Sequence, residues 1–112
     1  MSTPAPPYAV RVQRHFRIPM PDGVELSADL FLPEEAPGPV PVVVEYQPYR
    51  KDDNSLRETV KHRFLASHGI AGCLIDIRGT GSSGGRVGPD FGAEEERDGH
   101  AAVEWLAARP WC

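Results

Sequence analysis

The residues best placed to do chemistry lie in one stretch, Asp76-Ile77-Arg78-Gly79-Thr80-Gly81-Ser82-Ser83-Gly84-Gly85. Three patterns overlap in it. Gly79-x-Gly81-x-x-Gly84 has the spacing of a dinucleotide-binding turn, which works where the loop opens directly into a helix whose N-terminus meets a pyrophosphate. Gly85, Gly88, Pro89 and Gly92 follow instead, and the next helical pattern starts too late, so the cofactor reading is set aside. Gly81-x-Ser83-x-Gly85 has the spacing of the strained strand-to-helix turn that presents a nucleophilic serine. Ser83 stands well past the preceding apolar run with no helix behind it, and reads as a loop serine. The third pattern, Asp76-x-Arg78-Gly79-x-Gly81, sets an acid and a base among glycines. Such a loop is held by side-chain hydrogen bonds, the carboxylate accepting from loop N–H groups and the guanidinium reaching carbonyls or the acid. Asp76, Arg78, Gly79 and Gly81 are therefore expected to shape a site without performing its chemistry.

The elements that position this loop can be read in chain order. Ile70 to Asp76 is a short apolar run without helical spacing, a strand buried on both faces. A buried strand that empties into a glycine-rich loop is where open α/β sheets hold their ligands. Val10, Val12, Arg14, Phe16 and Ile18 alternate with mostly polar residues, as do Val24, Leu26, Ala28, Leu30 and Leu32. With Pro21-Asp22-Gly23 as the turn, these two runs predict an antiparallel hairpin, the first strand having one buried face. Val42 to Tyr46, continuous and β-branched, reads as a central strand. Ser55 with Glu58 makes a capping box, Leu56, Val60 and Phe64 recur at helical spacing, and Gly69 stands at the C-terminal cap, so 55–68 is a helix with that stripe turned inward. Strand, helix and strand in this order form a βαβ unit with parallel pairing. Glu94, Glu95 and Glu96 suit the first turn of a last helix, on which Gly99, Val103 and Leu106 share a face before Pro110.

Composition narrows the function classes. The chain has 112 residues, enough for one core, with 40% hydrophobic residues and a net charge of -4. No basic stripe exists to bind nucleic acid. No apolar run is long enough to span a membrane, and Met1–Pro7 is no secretory signal, so the expected location is cytoplasmic. Cys73 and Cys112 lack metal-ligand spacing, and neither a metal nor a cofactor is expected. His62 and His68 read as solvated helix residues, His100 as a surface residue of the last helix and His15 as a strand-face residue, none of them a base.

Taken together, Pro48-Tyr49-Arg50-Lys51, then Asp76-x-Arg78-Gly79-x-Gly81-x-Ser83-x-Gly85, then Glu95…Asp98…Glu104-Trp105-Leu106 and Pro110-Trp111-Cys112, resemble the cocaine esterase/X-Pro dipeptidyl-peptidase (S15-like, CocE/NonD) family of α/β-hydrolases. The opening hairpin resembles it as well. The resemblance implies the N-terminal portion of an α/β-hydrolase fold over residues 8–112, preceded by a disordered tail over 1–7 and truncated before the nucleophile strand. It implies a serine hydrolase acting on ester or amide bonds of a small acyl or X-Pro dipeptidyl substrate, with Tyr49 donating its hydroxyl to the oxyanion hole. The nucleophile, acid and histidine of the triad are not among these residues, so the chain alone is expected to be inactive. Its Val42–Tyr46 edge, lacking a neighbour, is expected to drive self-association. Two other readings stand beside this one: an α/β-hydrolase fragment with a different nucleophile, and a small non-catalytic α/β interaction module.

Overall fold

A computed structural model describes residues 7–47, 55–79, 83–84 and 91–112. Strands β1 (Val10–Pro19), β2 (Glu25–Pro33) and β3 (Val42–Gln47) precede helix α1 (Ser55–Ser67), and strand β4 (Ala71–Asp76) leads to helix α2 (Phe91–Ala107). The four strands form one sheet in the order β1-β2-β4-β3. β1 and β2 are antiparallel around the Pro21–Gly23 turn, where Gly23 at φ 92° takes the left-handed conformation that closes it. β3 and β4 are parallel, Val42 opposite Ala71 through Gln47 opposite Asp76, as the strand–helix–strand order requires.

β4 is buried along its whole length and occupies the centre of the sheet. β3 is the edge strand of the described sheet, as expected for Val42–Tyr46 where its further neighbour is lacking, and Val43 is 40% exposed. The reason is the crossover: α1 carries the chain over β3 and inserts β4 between it and the hairpin.

The first strand also departs from simple alternation. A bulge between Gln13 and Phe16 places His15 at φ 53°, and His15 N donates to the Asp29 carboxylate at 3.2 Å. Before the bulge Val12 lies opposite Phe31, and after it Phe16 lies opposite Ala28. Since successive residues of β2 face opposite sides, Val12 and Phe16 project from different faces, and β1 has no single buried face.

The α2 side holds the apolar core: Ile18, Met20, Leu26, Ala28, Leu30, Cys73 and Ile75 against Ala102 and Leu106. On α2 the buried stripe is Asp98, Ala102 and Leu106, with Gly99 and Trp105 beside it, while Val103 is 51% exposed. On α1 the expected stripe is likewise turned outward. Val60 and Phe64 are 63% and 61% exposed, and His62 and Ala66 are buried instead. The side chains of Ser55, Leu56 and Glu58 lie outside the described residues. α1 ends in a Schellman cap, Ile70 N donating to Leu65 O at 2.9 Å and Gly69 N to Ala66 O at 3.0 Å, with Gly69 at φ 93°. No helix among the described residues is long and apolar enough to cross a membrane.

Candidate active-site face

Asp76 and Gln47 end the two parallel strands on the same side of the sheet, the side where open α/β sheets place ligands. β2 runs past the end of β4, which leaves the amides and carbonyls of its first residues without a strand beside them on that side. The returning limb of the glycine loop takes the place of β4. Gly84 N donates to Glu25 O at 2.9 Å, and Gly79 N donates to Gly84 O at 2.9 Å, Gly79 having φ 75°. Ser83 Oγ accepts from Ser27 N at 2.8 Å and donates to Asp76 O at 2.6 Å. Both capacities of this hydroxyl are engaged by backbone, so Ser83 is a splint between β2 and β4, a loop serine that is anchored.

Arg78 leaves this loop and joins two other elements. Its Nε donates to Asp98 Oδ2 at 2.8 Å and its Nη2 to Asp98 Oδ1 at 3.0 Å, a bidentate pair with α2. Its Nη1 lies 2.8 Å from Asp22 Oδ2 in the hairpin turn. The Arg78 side chain is 11% exposed and that of Asp98 6%, so this pair works with little solvent screening. The two carboxylates hold the Arg78 guanidinium well above its ordinary pKa. In return, the hydrogen bond from Arg78, reinforced by the Val24 amide, holds the Asp22 carboxyl below the usual carboxylate range. A hollow of about 210 Å³ opens here, lined by Pro21, Asp22, Arg78, Arg97 and Asp98. A wider cleft of about 630 Å³ lies at the opposite end of the strands, among Leu32, Pro33, Pro39, Val40, Pro110 and Trp111. It is remote from every residue singled out for chemistry.

The structure thus brings Asp76, Arg78 and Gly79 together. Tyr49 and Gly81 lie outside the described residues. Asp76 is fully buried at the mouth of the site. The carboxylate partners found for Arg78, Asp22 and Asp98, were not anticipated. The signal for Asp98 was present: it sits four residues before Ala102 on the stripe that faces the sheet, and a carboxylate in a buried stripe requires a cation. Of the histidines, His68 and His100 are exposed as expected, and His15 is exposed at the bulge. His62 contradicts its reading as a solvated helix residue. It is fully buried and stacks on Phe31 with ring centroids 5.4 Å apart.

With this geometry in view, comparison with known proteins is decisive about kinship. A family model for X-Pro dipeptidyl-peptidases of the S15 family matches residues 22–112. The chain belongs to this family. It is similar to cocaine esterase from Rhodococcus sp. (strain MB1 Bresler), with 34% identity over 103 residues, covering 90% of this chain and 17% of that esterase. Among solved structures, a CocE/NonD family hydrolase from Staphylococcus aureus superposes with a TM-score of 0.74 at 23% identity, over 91% of this chain and 21% of that one. Est1E from Butyrivibrio proteoclasticus, solved with ferulic acid bound, gives a TM-score of 0.70 at 19% identity, over 86% of this chain and 38% of that one. The fold is the N-terminal portion of an α/β-hydrolase, and the chain spans about one fifth or less of the first two relatives.

Proposed function

We propose that these residues are the N-terminal part of a serine hydrolase that cleaves ester or amide bonds, of acyl or X-Pro dipeptidyl type. The observation that carries this reading is the S15 family match across residues 22–112. Acyl transfer requires a nucleophile, a base, an orienting acid and donors aimed at the developing oxyanion. Tyr49 follows β3 directly, where this fold takes one such donor, and is assigned that role. Gly79 and Gly84, with Ser83 as the splint and Arg78 as the clamp, stand at the same end of the sheet. Ser83, with its hydroxyl held by two backbone groups, is not the nucleophile. Nucleophile, acid and histidine come from residues beyond this sequence.

The test uses the protein expressed from its full reading frame, assayed on p-nitrophenyl acetate. Tyr49→Phe is expected to lower kcat about 10²-fold, the cost of one oxyanion donor. Turnover at the parental rate would make Tyr49 a packing residue, and covalent labelling of Ser83 by a fluorophosphonate would overturn its exclusion.

Residues 1–112 on their own are proposed to self-associate through β3. The outer edge of β1 is interrupted by the bulge at His15, whereas no partner strand lies beyond β3 among the described residues. Size-exclusion chromatography with light scattering should show a dimer or larger species, and a clean monomer refutes the proposal.

A further inference from the structure

Two consecutive residues at the end of β3 are each tied to a different helix. Glu45 projects to the α1 side, where Lys61 pairs with its carboxylate and His62 Nε2 stands 3.4 Å from its Oε1. The His62 ring is sealed between α1 and the sheet, lying nearly parallel to Phe31 with 16° between the planes. It fits only because Gly72 has no side chain: a Cβ there would lie 2.7 Å from His62 Cγ. Tyr46 projects to the α2 side, and its hydroxyl donates to Glu95 O at 3.1 Å. A second glycine makes room on this side, since a Cβ on Gly99 would lie 3.2 Å from Tyr46 Cε1.

A strand that needed only to be covered would be served by aliphatic side chains on both faces, and would not require a glycine opposite each of two rings. β3 also has only one neighbouring strand among the described residues, so ladder hydrogen bonds restrain it from one side. We infer that Glu45 and Tyr46 are positioning residues, a two-sided clamp through Lys61 and the neighbouring His62 on one face and Glu95 on the other, that fixes where β3 ends on the side that carries the active-site face. The geometry stands by itself; its consequence for catalysis rests on the hydrolase reading above. Glu45 and Tyr46 act through the position they give the last residue of β3, Gln47.

Glu45→Gln and Tyr46→Phe keep size and burial while removing the charge and the hydroxyl. In the protein from the full reading frame, each is expected to lower kcat on p-nitrophenyl acetate about tenfold, as small misplacements of a site do, with KM nearly unchanged. Each should also speed amide exchange at Gln47 while Leu74 in β4 stays protected. Phe16→Leu supplies the comparison. Phe16 packs on Trp105 at a centroid distance of 5.4 Å, and its loss should lower the melting temperature without lowering kcat. Parental exchange at Gln47 in both clamp variants overturns the inference. So does a kcat no lower than that of Phe16→Leu at an equal loss of melting temperature. A parental protein that cleaves no ester removes the hydrolase reading alone, and exchange at Gln47 then still decides whether the clamp exists.

Discussion

On the α2 side of the sheet Ile18, Leu26, Leu30, Cys73 and Ile75 meet Ala102 and Leu106, an apolar core of familiar composition. On the α1 side Ser27, Asp29, Asp76 and His62 are buried just as completely. Phe31, Leu74 and Ala66 are the buried apolar residues there, Leu74 placed by its alternation with Cys73 and Ile75. The two helices differ accordingly. α2 packs through area removed from water, with one ion pair to Arg78 at its site end. α1 turns a histidine to the sheet and leaves Val60 and Phe64 in solvent. A polar face carries a directional cost that an apolar face does not: each buried group needs its partner in place, so the face specifies one arrangement and tolerates few others.

The first way to break this comparison is to open a cavity on one face and to overfill the other. Leu30→Ala removes a fully buried side chain from the apolar face and should lower stability by about 3 kcal/mol, the middle of the range for such truncations. Gly72→Ala adds a single methyl group to the polar face, directly under the His62 ring, and should cost about 2 kcal/mol because neither backbone nor ring can yield. Urea unfolding midpoints measure both. The faces are separated by a second substitution. His62→Ala should relieve most of the Gly72→Ala penalty, since the methyl group then occupies vacated space, but should leave the cost of Leu30→Ala unchanged. Additive losses for Gly72→Ala and His62→Ala would mean that the ring and the glycine are not partners.

How far the sequence discloses this arrangement depends on the range of the interactions involved. The hairpin was legible because its signal is local, a turn of fixed chemistry between two alternating runs. So was the burial of β4, and so was the existence of α1, whose glycine cap lies where its backbone hydrogen bonds need it. The face that α1 presents was not legible. Leu56, Val60 and Phe64 form a correct helical stripe, yet the sheet beneath the helix has a hollow at Gly72 and carboxylates on β2, β3 and β4. That surface accepts an imidazole better than an aliphatic chain, and it exists only after three strands have paired. The same holds for Arg78: its partners are 20 and 56 residues away along the chain. The bulge at His15 escaped because a shift of one residue leaves the apolar residues in place in the sequence while exchanging the faces they serve.

The smallest expected effect links the two faces. Cys73 belongs to the apolar core, and burial pushes its thiol up from 9.0 to about 12, with the charge of Asp29 adding to the shift. Asp29 lies on β2, opposite Leu74 and therefore on the other face from Cys73, so its negative charge acts across the sheet. The ionised thiolate is disfavoured in the folded chain relative to the unfolded one. The stability that Cys73 contributes is thus fully present below the unfolded value near 9.0 and is lost as the pH rises toward about 12. Other groups titrate in this window, so the measurement is a difference: urea midpoints at successive pH values for the parental chain and for Cys73→Ala. The parental curve should fall more steeply above pH 9.0, the ordinary value for this thiol, and the two should run parallel below it. Asp29→Asn tests the cross-sheet part. The onset near 9.0 belongs to the unfolded chain and should stay, whereas the pH at which the Cys73-dependent loss levels off should fall, by less than burial raises it, because desolvation is the larger cause. Parallel curves across the whole range would show that the thiol is not held neutral by the core. A loss that levels off at the same pH in Asp29→Asn would show that the polar face does not reach through the sheet, leaving the two faces electrostatically independent.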